Sequence, residues 1–157
     1  MEHFYQNMLT YIRLHPLYLK TILLINKVFP LIITMIYPMI LIYLYLTSSN
    51  LLIPTLIKPL IAFISVTIFR KIINRPRPYE TMNINPLVMH KQGQSFPSRH
   101  ALSAMIIALV CINIHPLLGL FMTILAISIC LSRILTGTHY ISDVLTSIII
   151  AIIIYII

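Results

Sequence analysis

The sequence predicts an all-α fold: a polytopic membrane helical bundle of about five transmembrane spans, preceded by an N-terminal interfacial helix. Three observations lead there. Of 157 residues, 59% are hydrophobic and only 9% are charged, whereas about a quarter of a soluble domain is charged. Several apolar runs approach the roughly 20 residues that cross a bilayer. None of them alternates in the segments of about ten residues that a membrane barrel needs. By length the chain is a single domain, residues 1–157.

Taken in order, residues 1–20 open with an amphipathic helix over 2–13. Phe4, Tyr5, Met8, Leu9 and Ile12 fall on one face, and Glu2, His3, Gln6, Asn7, Thr10 and Arg13 on the other. His15-Pro16 ends it, and it reads as a surface helix without chemistry. The first span is expected over 28–47, with Pro30 and Pro38 tolerated as kinks and Lys20 and Lys27 snorkelling ahead of it. A turn at 48–50 leads to a second span over 51–69, where Lys58 and Pro59 allow a later start. The longest polar segment follows, over 70–99. Its Asn74-Arg75-Pro76-Arg77-Pro78 run is not regular helix, because each proline biases its predecessor away from the α region. The third span occupies 101–114, the fourth 117–132 and the fifth 141–157, with a His115-Pro116 turn between the third and fourth.

Alternation of these spans sets the sides. The end of the second, the start of the third, the end of the fourth and the start of the fifth all reach the same membrane face. Three polar clusters therefore converge at one end of the bundle, where helical bundles build sites. They are Arg70 with Arg77-Pro78, then Pro97-Ser98-Arg99-His100, then Arg133 with His139 and Asp143. Ionisable groups placed near hydrocarbon cost several kcal/mol each unless paired or hydrated, so function is their default explanation.

The net charge of +8 favours anionic headgroups and phosphate esters as partners. Nucleic acid is excluded, because no soluble basic domain presents the charge. Cys111 and Cys130 lie within apolar runs and read as small core residues. No cleavable signal peptide is expected, because the first long apolar run starts late and lacks a small-residue cleavage site. The sequence does not set an oligomeric state.

His139 and Asp143 are four apart and share a helical face. Asp143 can fix one imidazole nitrogen and make the other a nucleophile or base. Arginines and the Ser98 hydroxyl suit the charge on phosphoryl oxygens, and a second histidine suits protonation of a leaving oxygen. With three carboxylates in the chain, of which Glu2 is terminal and Glu80 lies in the loop, no metal or other cofactor is expected. Each piece also has a plain reading. Arg70 and Lys71 serve as interfacial anchors, Arg75 and Lys91 as solvated charges, His100 as a helix-start residue, and His139 with Asp143 as a structural pair. Their ordered placement on one face favours a site.

At these residues the chain resembles the type 2 phosphatidic acid phosphatase (PAP2) superfamily. The family signature is Lys-x6-Arg-Pro, Pro-Ser-Gly-His and Ser-Arg-x5-His-x3-Asp. Here the first reads Arg70-x6-Arg77-Pro78, with arginine for lysine, and the second Pro97-Ser98-Arg99-His100, with arginine for glycine. The third matches throughout, from Ser132-Arg133 to His139 and Asp143. The resemblance spans 70–143, about half the chain.

It implies a core shared with the vanadium haloperoxidases and a metal-independent phosphatase. His139 would form a phosphohistidine, oriented by Asp143, while His100 would serve as general acid. Arg70, Arg77, Ser98 and Arg133 would hold the phosphate. Arg99 would offer its backbone amide in place of the usual glycine, with its side chain either adding a contact or lying at the rim. Family members usually have six spans, so the N-terminal part transfers least.

The compact form resembles small bacterial members that act on undecaprenyl diphosphate. Phosphatidylglycerophosphate and phosphatidate phosphatases are the alternatives. Readings from other classes are a non-catalytic lipid-phosphate binder and a structural membrane protein. The expected location is the cell membrane. The positive-inside rule alone would turn the basic face to the cytoplasm, whereas the resemblance turns the site to the extracytoplasmic side.

Overall fold

The computed structural model describes residues 1–157. It contains helices and no strands: α1 (Glu2–Leu14), α2 (Pro16–Leu46), α3 (Leu52–Ile73), α4 (Pro78–Thr81), α5 (Arg99–Ile114), α6 (Pro116–Leu135) and α7 (Ile141–Ile156). Helices α2, α3 and α6 are long and apolar enough to cross a membrane, and α5 and α7 are shorter apolar helices of 16 residues. Five apolar helices thus lie where about five spans are expected, three of them long enough to cross. At 1.5 Å per residue α5 and α7 reach only about 24 Å, and both begin at the polar end of the bundle.

The apolar side chains divide between core and lipid. Helix α5 is central and packs against α3, α6 and α7, with nine of its 16 residues buried. Its small residues Ala101, Ala104, Ala108 and Cys111 let neighbours approach. On α6, a Cβ at Gly119 would sit 2.6 Å from the Ile112 backbone, so only glycine fits that crossing. Outward-facing Met35, Met39, Ile61, Phe63, Ile124, Leu145 and Ile149 remain exposed. A contiguous apolar girdle of that kind marks a membrane protein.

Helix α2 departs from the expected first span. It starts at Pro16 and runs 31 residues to Leu46, so Lys20 and Lys27 lie inside it. The 1–20 segment is therefore split between α1 and the first turn of α2. Pro16 takes the first-turn position, where a missing N–H costs nothing, and no breaker occurs before Pro30. Prolines within the spans leave a carbonyl one turn earlier without its helical donor, and side chains fill two of these places. Pro30 frees Asn26 O, which accepts from Arg133 Nη2 at 3.3 Å. Pro59 frees Thr55 O, which accepts from Tyr37 OH at 2.9 Å. Lys58 lies within α3, which starts at Leu52 rather than near Pro59, and donates to Tyr155 O in the last turn of α7. A cation there complements the helix C-terminus.

The polar segment is tied down by its own backbone. Ser95 N donates to Arg75 O at 2.9 Å, and Gln94 N to Asn74 Oδ1 at 3.2 Å. Glu80 accepts from Arg77 N and Gly93 N, pinning one limb of the loop to the other. Helix α1 clamps the same loop from outside. Arg13 Nη2 donates to Asn85 O at 2.7 Å, Gln6 Nε2 to Asn83 O at 3.0 Å, and Asn83 N to Glu2 Oε1 at 3.2 Å. The N-terminal helix is thus a structural part of the polar end, not a free surface helix.

Candidate active site

The polar end gathers the C-termini of α3 and α6 with the N-termini of α5 and α7. A cavity of about 200 Å³ opens there with no hydrophobic lining residue. Arg70, Arg77, His90, Arg99, His100 and His139 line it, with the 91–94 loop. His100 and His139, expected to flank one reacting group, thus border one space.

His139 is placed by the α6–α7 connection. Helix α6 ends with Gly137 at φ +73°, a left-handed turn residue whose N–H returns to Ile134 O at 2.9 Å. His139 N then donates to Arg133 O at 3.2 Å. The ring is 3% exposed. Its Nδ1 lies 3.4 Å from Asp143 Oδ2 across one helical turn, which directs Nδ1–H to the carboxylate and leaves Nε2 its lone pair. Burial pushes the His139 pKa down to about 4. The hydrogen bond to Asp143 opposes that shift, and the charges of Arg77 and Arg70 add to it. The ring is therefore neutral at neutral pH, the form a nucleophile needs.

Asp143 is fully buried and saturated with donors. Tyr140 N donates to Oδ2 at 3.0 Å, Ser95 Oγ donates to Oδ2, and Arg75 Nη1 donates to Oδ1 at 2.8 Å. Arg75 also donates to Ser142 Oγ at 2.9 Å, and its guanidinium lies 4.0 Å from the centre of the Tyr140 ring. Arg75 is thus a partner of the dyad and not a solvated charge, because a buried carboxylate needs a counter-charge. Lys91 borders the cavity, and its carbonyl accepts from Arg77 Nε at 3.1 Å.

Arg77 is 5% exposed, and burial pulls its pKa below the ordinary arginine value. Its Nη1 donates to Thr138 O at 3.1 Å, so two carbonyls aim the guanidinium along the cavity wall. Arg70 Nη1 donates to Pro97 O at 3.0 Å, a single contact that ties the end of α3 to the loop ahead of α5. Ser98 caps α5 with its hydroxyl buried and without a partner. The first amides of α5 have no carbonyl within their own helix to reach. Arg99 and His100 stand on that first turn, so anion-seeking amides open onto the cavity. Ser147 Oγ donates to Ser98 O at 3.0 Å, locking α7 to this turn.

Two expected phosphate ligands, Ser98 and Arg133, do not line this cavity, and Arg133 stands further off. It is 2% exposed and lies one step away, in an adjoining cavity that also includes His100 and His90. Its Nε is buried without a partner.

Three participants were missed by sequence reasoning: Arg75, Ser95 and Tyr5. Tyr5 of α1 is fully buried and donates to His139 O at 3.0 Å. Burial pushes its pKa up to about 12, so the hydroxyl keeps its proton. A tyrosine on the apolar face of an amphipathic helix, whose hydroxyl needs a partner when buried, was the available signal. No group of three or more His, Cys, Asp or Glu side chains is arranged to hold a metal ion.

Fold and site together define a polytopic helical membrane protein with an arginine-lined cavity bordered by two histidines. Comparisons agree. A family model described as the PAP2 superfamily matches residues 41–157, and the chain belongs to that superfamily. It is 35% identical over 79 residues to the undecaprenyl-diphosphatase BcrC of Bacillus subtilis, covering 50% of this chain and 41% of that protein. It is 33% identical over 103 residues to the bacitracin transport permease protein BcrC of Bacillus licheniformis, covering 62% and 50%. The chain thus spans half or less of the length of these relatives. The crystal structure of Aquifex aeolicus LpxE superposes with a TM-score of 0.66 at 24% identity, over 88% of this chain and 92% of that one.

Proposed function

We propose that this chain is an integral-membrane phosphatase that hydrolyses a phosphate or diphosphate ester of a membrane lipid without a metal ion. Undecaprenyl diphosphate is the substrate that the name of the B. subtilis relative supports. The observation that carries the reading is the cavity shared by His100 and His139, which no hydrophobic residue lines and which Arg70 and Arg77 flank, with Asp143 behind His139.

The chemistry follows from that placement. His139 Nε2 attacks phosphorus in line with the leaving oxygen, and the N–P bond forms as the P–O bond breaks. Asp143 stabilises the positive charge that grows on the imidazole. Arg70, Arg77, the Ser98 hydroxyl and the first amides of α5 neutralise the equatorial oxygens, with Arg99 adding its amide. His100 protonates the leaving oxygen. Water then attacks the phosphohistidine, giving its proton to His100, and inorganic phosphate departs. Arg133 joins from the adjoining cavity.

The lipid tail remains in the bilayer while the headgroup enters between helices at the polar end. The site faces the extracytoplasmic side. Labelling of single cysteines placed in the 81–92 loop with an impermeant reagent tests that orientation, and exclusive cytoplasmic labelling contradicts it.

The activity is tested with purified protein in detergent and EDTA. A panel of undecaprenyl diphosphate, phosphatidylglycerophosphate and phosphatidate is assayed for phosphate release. Fastest turnover of the diphosphate is expected. Fastest turnover of either monophosphate ester reassigns the substrate. Binding without turnover of any of them overturns the phosphatase reading in favour of a lipid-phosphate binder.

A further inference from the structure

The chain has three side-chain carboxylates. Asp143 stands behind His139, and Glu2 ties α1 to the loop through Asn83 N. Glu80 is an exposed residue of α4 and forms no ion pair. It accepts instead from two main-chain amides. Arg77 N donates to Glu80 Oε2 at 2.5 Å, which caps the short α4. Gly93 N, from 13 residues further on, donates to both oxygens at 3.0 Å. A helix cap accounts for the first contact and not for the second.

That second contact closes a ring around Arg77. Residues 90–94 form one wall of the cavity. Arg77 Nε donates to Lys91 O, just ahead of Gly93, at 3.1 Å, and Nη1 donates to Thr138 O at 3.1 Å. Glu80 therefore holds Arg77 at both ends: the main chain directly, and the guanidinium through the wall whose carbonyl it meets. Neighbours complete the wall. Tyr79 OH donates to His90 O at 2.9 Å, and Gln94 N to Asn74 Oδ1 at 3.2 Å. Gly93 takes φ +67°, and a Cβ there would stand 2.8 Å from Asn74 Oδ1, so glycine lets the segment pass close to its anchors. Carbonyls engage two guanidinium nitrogens, and Nη2 is left for a phosphoryl oxygen. Burial pulls the Arg77 pKa down, and the negative charge of Glu80 is among those that resist it.

We propose that Glu80 is a positioning residue, which sets the Arg77 guanidinium for the phosphoryl group by clamping the 90–94 wall to the main chain of Arg77. The inference rests on the phosphatase reading and deepens it. Glu80 touches no substrate. Its loss frees Gly93, lets Lys91 O drift from Arg77 Nε, and allows the guanidinium to turn away from the cavity. The charge on the phosphoryl oxygens then meets a cation that is present but misaimed. Electrostatic stabilisation depends on donors fixed in direction before the reaction, so it falls. A carboxylate that only caps α4 would act on folding and not on phosphate.

The test uses the whole chain in detergent and compares Glu80→Ala, Glu80→Gln, Arg77→Ala and the double variant Glu80→Ala with Arg77→Ala. For each, kcat/KM is measured on a polyisoprenyl diphosphate, and the affinity for inorganic phosphate is read by thermal-shift titration. Glu80→Ala is expected to lower kcat/KM about tenfold to a hundredfold, the range for one lost charge-assisted hydrogen bond, and to weaken phosphate about tenfold. Glu80→Gln keeps the shape and one oxygen acceptor, so its losses should be smaller, and it carries the test if Glu80→Ala does not fold. In the Arg77→Ala background, Glu80→Ala should cost less than about twofold, because the two residues act as one unit. Glu2→Ala cuts a carboxylate contact to the far end of the same loop and should change kcat/KM less than about twofold. Additive losses in the double variant, phosphate affinity untouched by both Glu80 substitutions, or an equal loss in Glu2→Ala overturns the clamp. Arg77-dependent weakening of phosphate in a protein that hydrolyses no lipid phosphate keeps the clamp and sinks the phosphatase reading instead.

Discussion

Arg75 Nη1 donates to Asp143 Oδ1 at 2.8 Å, across 68 residues of sequence. The contact joins the loop after α3 to the first turn of α7 behind the imidazole of His139. It explains how a fully buried carboxylate stays ionised so close to hydrocarbon. A lone buried charge is strongly disfavoured, whereas one held by a cation and hydrogen bonds is tolerated.

Arg75 thus acts through Asp143 and is a positioning residue. Arg75→Gln is expected to lower kcat/KM about tenfold to a hundredfold, the range for a lost charge-assisted hydrogen bond. Removing the guanidinium leaves the negative charge of Asp143 less compensated. His139 then holds its proton more tightly, and the acid limb of the pH–rate profile should move to higher pH. In an Asp143→Asn background the same substitution should cost almost nothing more, because both act on one carboxylate. Additive losses would show that Arg75 works elsewhere.

Ser95 offers a parallel case. Its hydroxyl donates to Asp143 Oδ2 and lies 3.5 Å from His139 Nδ1. Ser95→Ala removes a donor from a buried anion and should lower kcat several-fold to about tenfold, with KM nearly constant. A rise in KM alone would assign Ser95 to substrate binding.

The N-terminal helix bears on the same site. Tyr5→Phe leaves the buried carbonyl of His139 without its donor, at a cost of about 1 kcal/mol. The unfolding temperature in detergent should fall by about 2–4 °C. Deleting the whole of α1 should additionally release the 82–86 loop that Arg13 and Gln6 hold. An unchanged midpoint in Tyr5→Phe would show that the contact carries no net stability.

Stability should also depend on pH through His139. The unfolded chain protonates this ring near pH 6.5, whereas the folded chain resists until about 4. Between those values the unfolded state binds more protons, so stability rises with pH across the window and is lost as pH falls through it. Thermal unfolding from pH 4 to 8 should show that slope in the wild type and a shallower one in His139→Gln. Equal slopes would place the titration on another group.

The bundle was legible because apolar runs and polar clusters are local features. Counting sides along the runs placed Arg70, Arg77, Ser98, His100, His139 and Asp143 at one end, and each of them lies there. Less legible was anything set by long-range pairing. Arg75 reads as solvated within a proline-rich loop, and only the fold brings Asp143 to it. Tyr5 lies 134 residues from the carbonyl it satisfies. The start of α2 was misplaced because Lys20 and Lys27 resemble a polar boundary, although both fit within a helix that runs from Pro16. Arg133 carries the family motif, yet the fold turns it toward Asn26, whose carbonyl is free only because of Pro30.

The central claim is that His139 takes the phosphoryl group. It is tested by mixing purified protein with a lipid diphosphate labelled at its terminal phosphate, quenching in alkali within milliseconds, and mapping the label. Label on residue 139 that survives alkali and is released by acid, and that vanishes in His139→Ala together with turnover, is the expected result. Phosphate release by His139→Ala at the wild-type rate in EDTA, or label on a different residue, would contradict it.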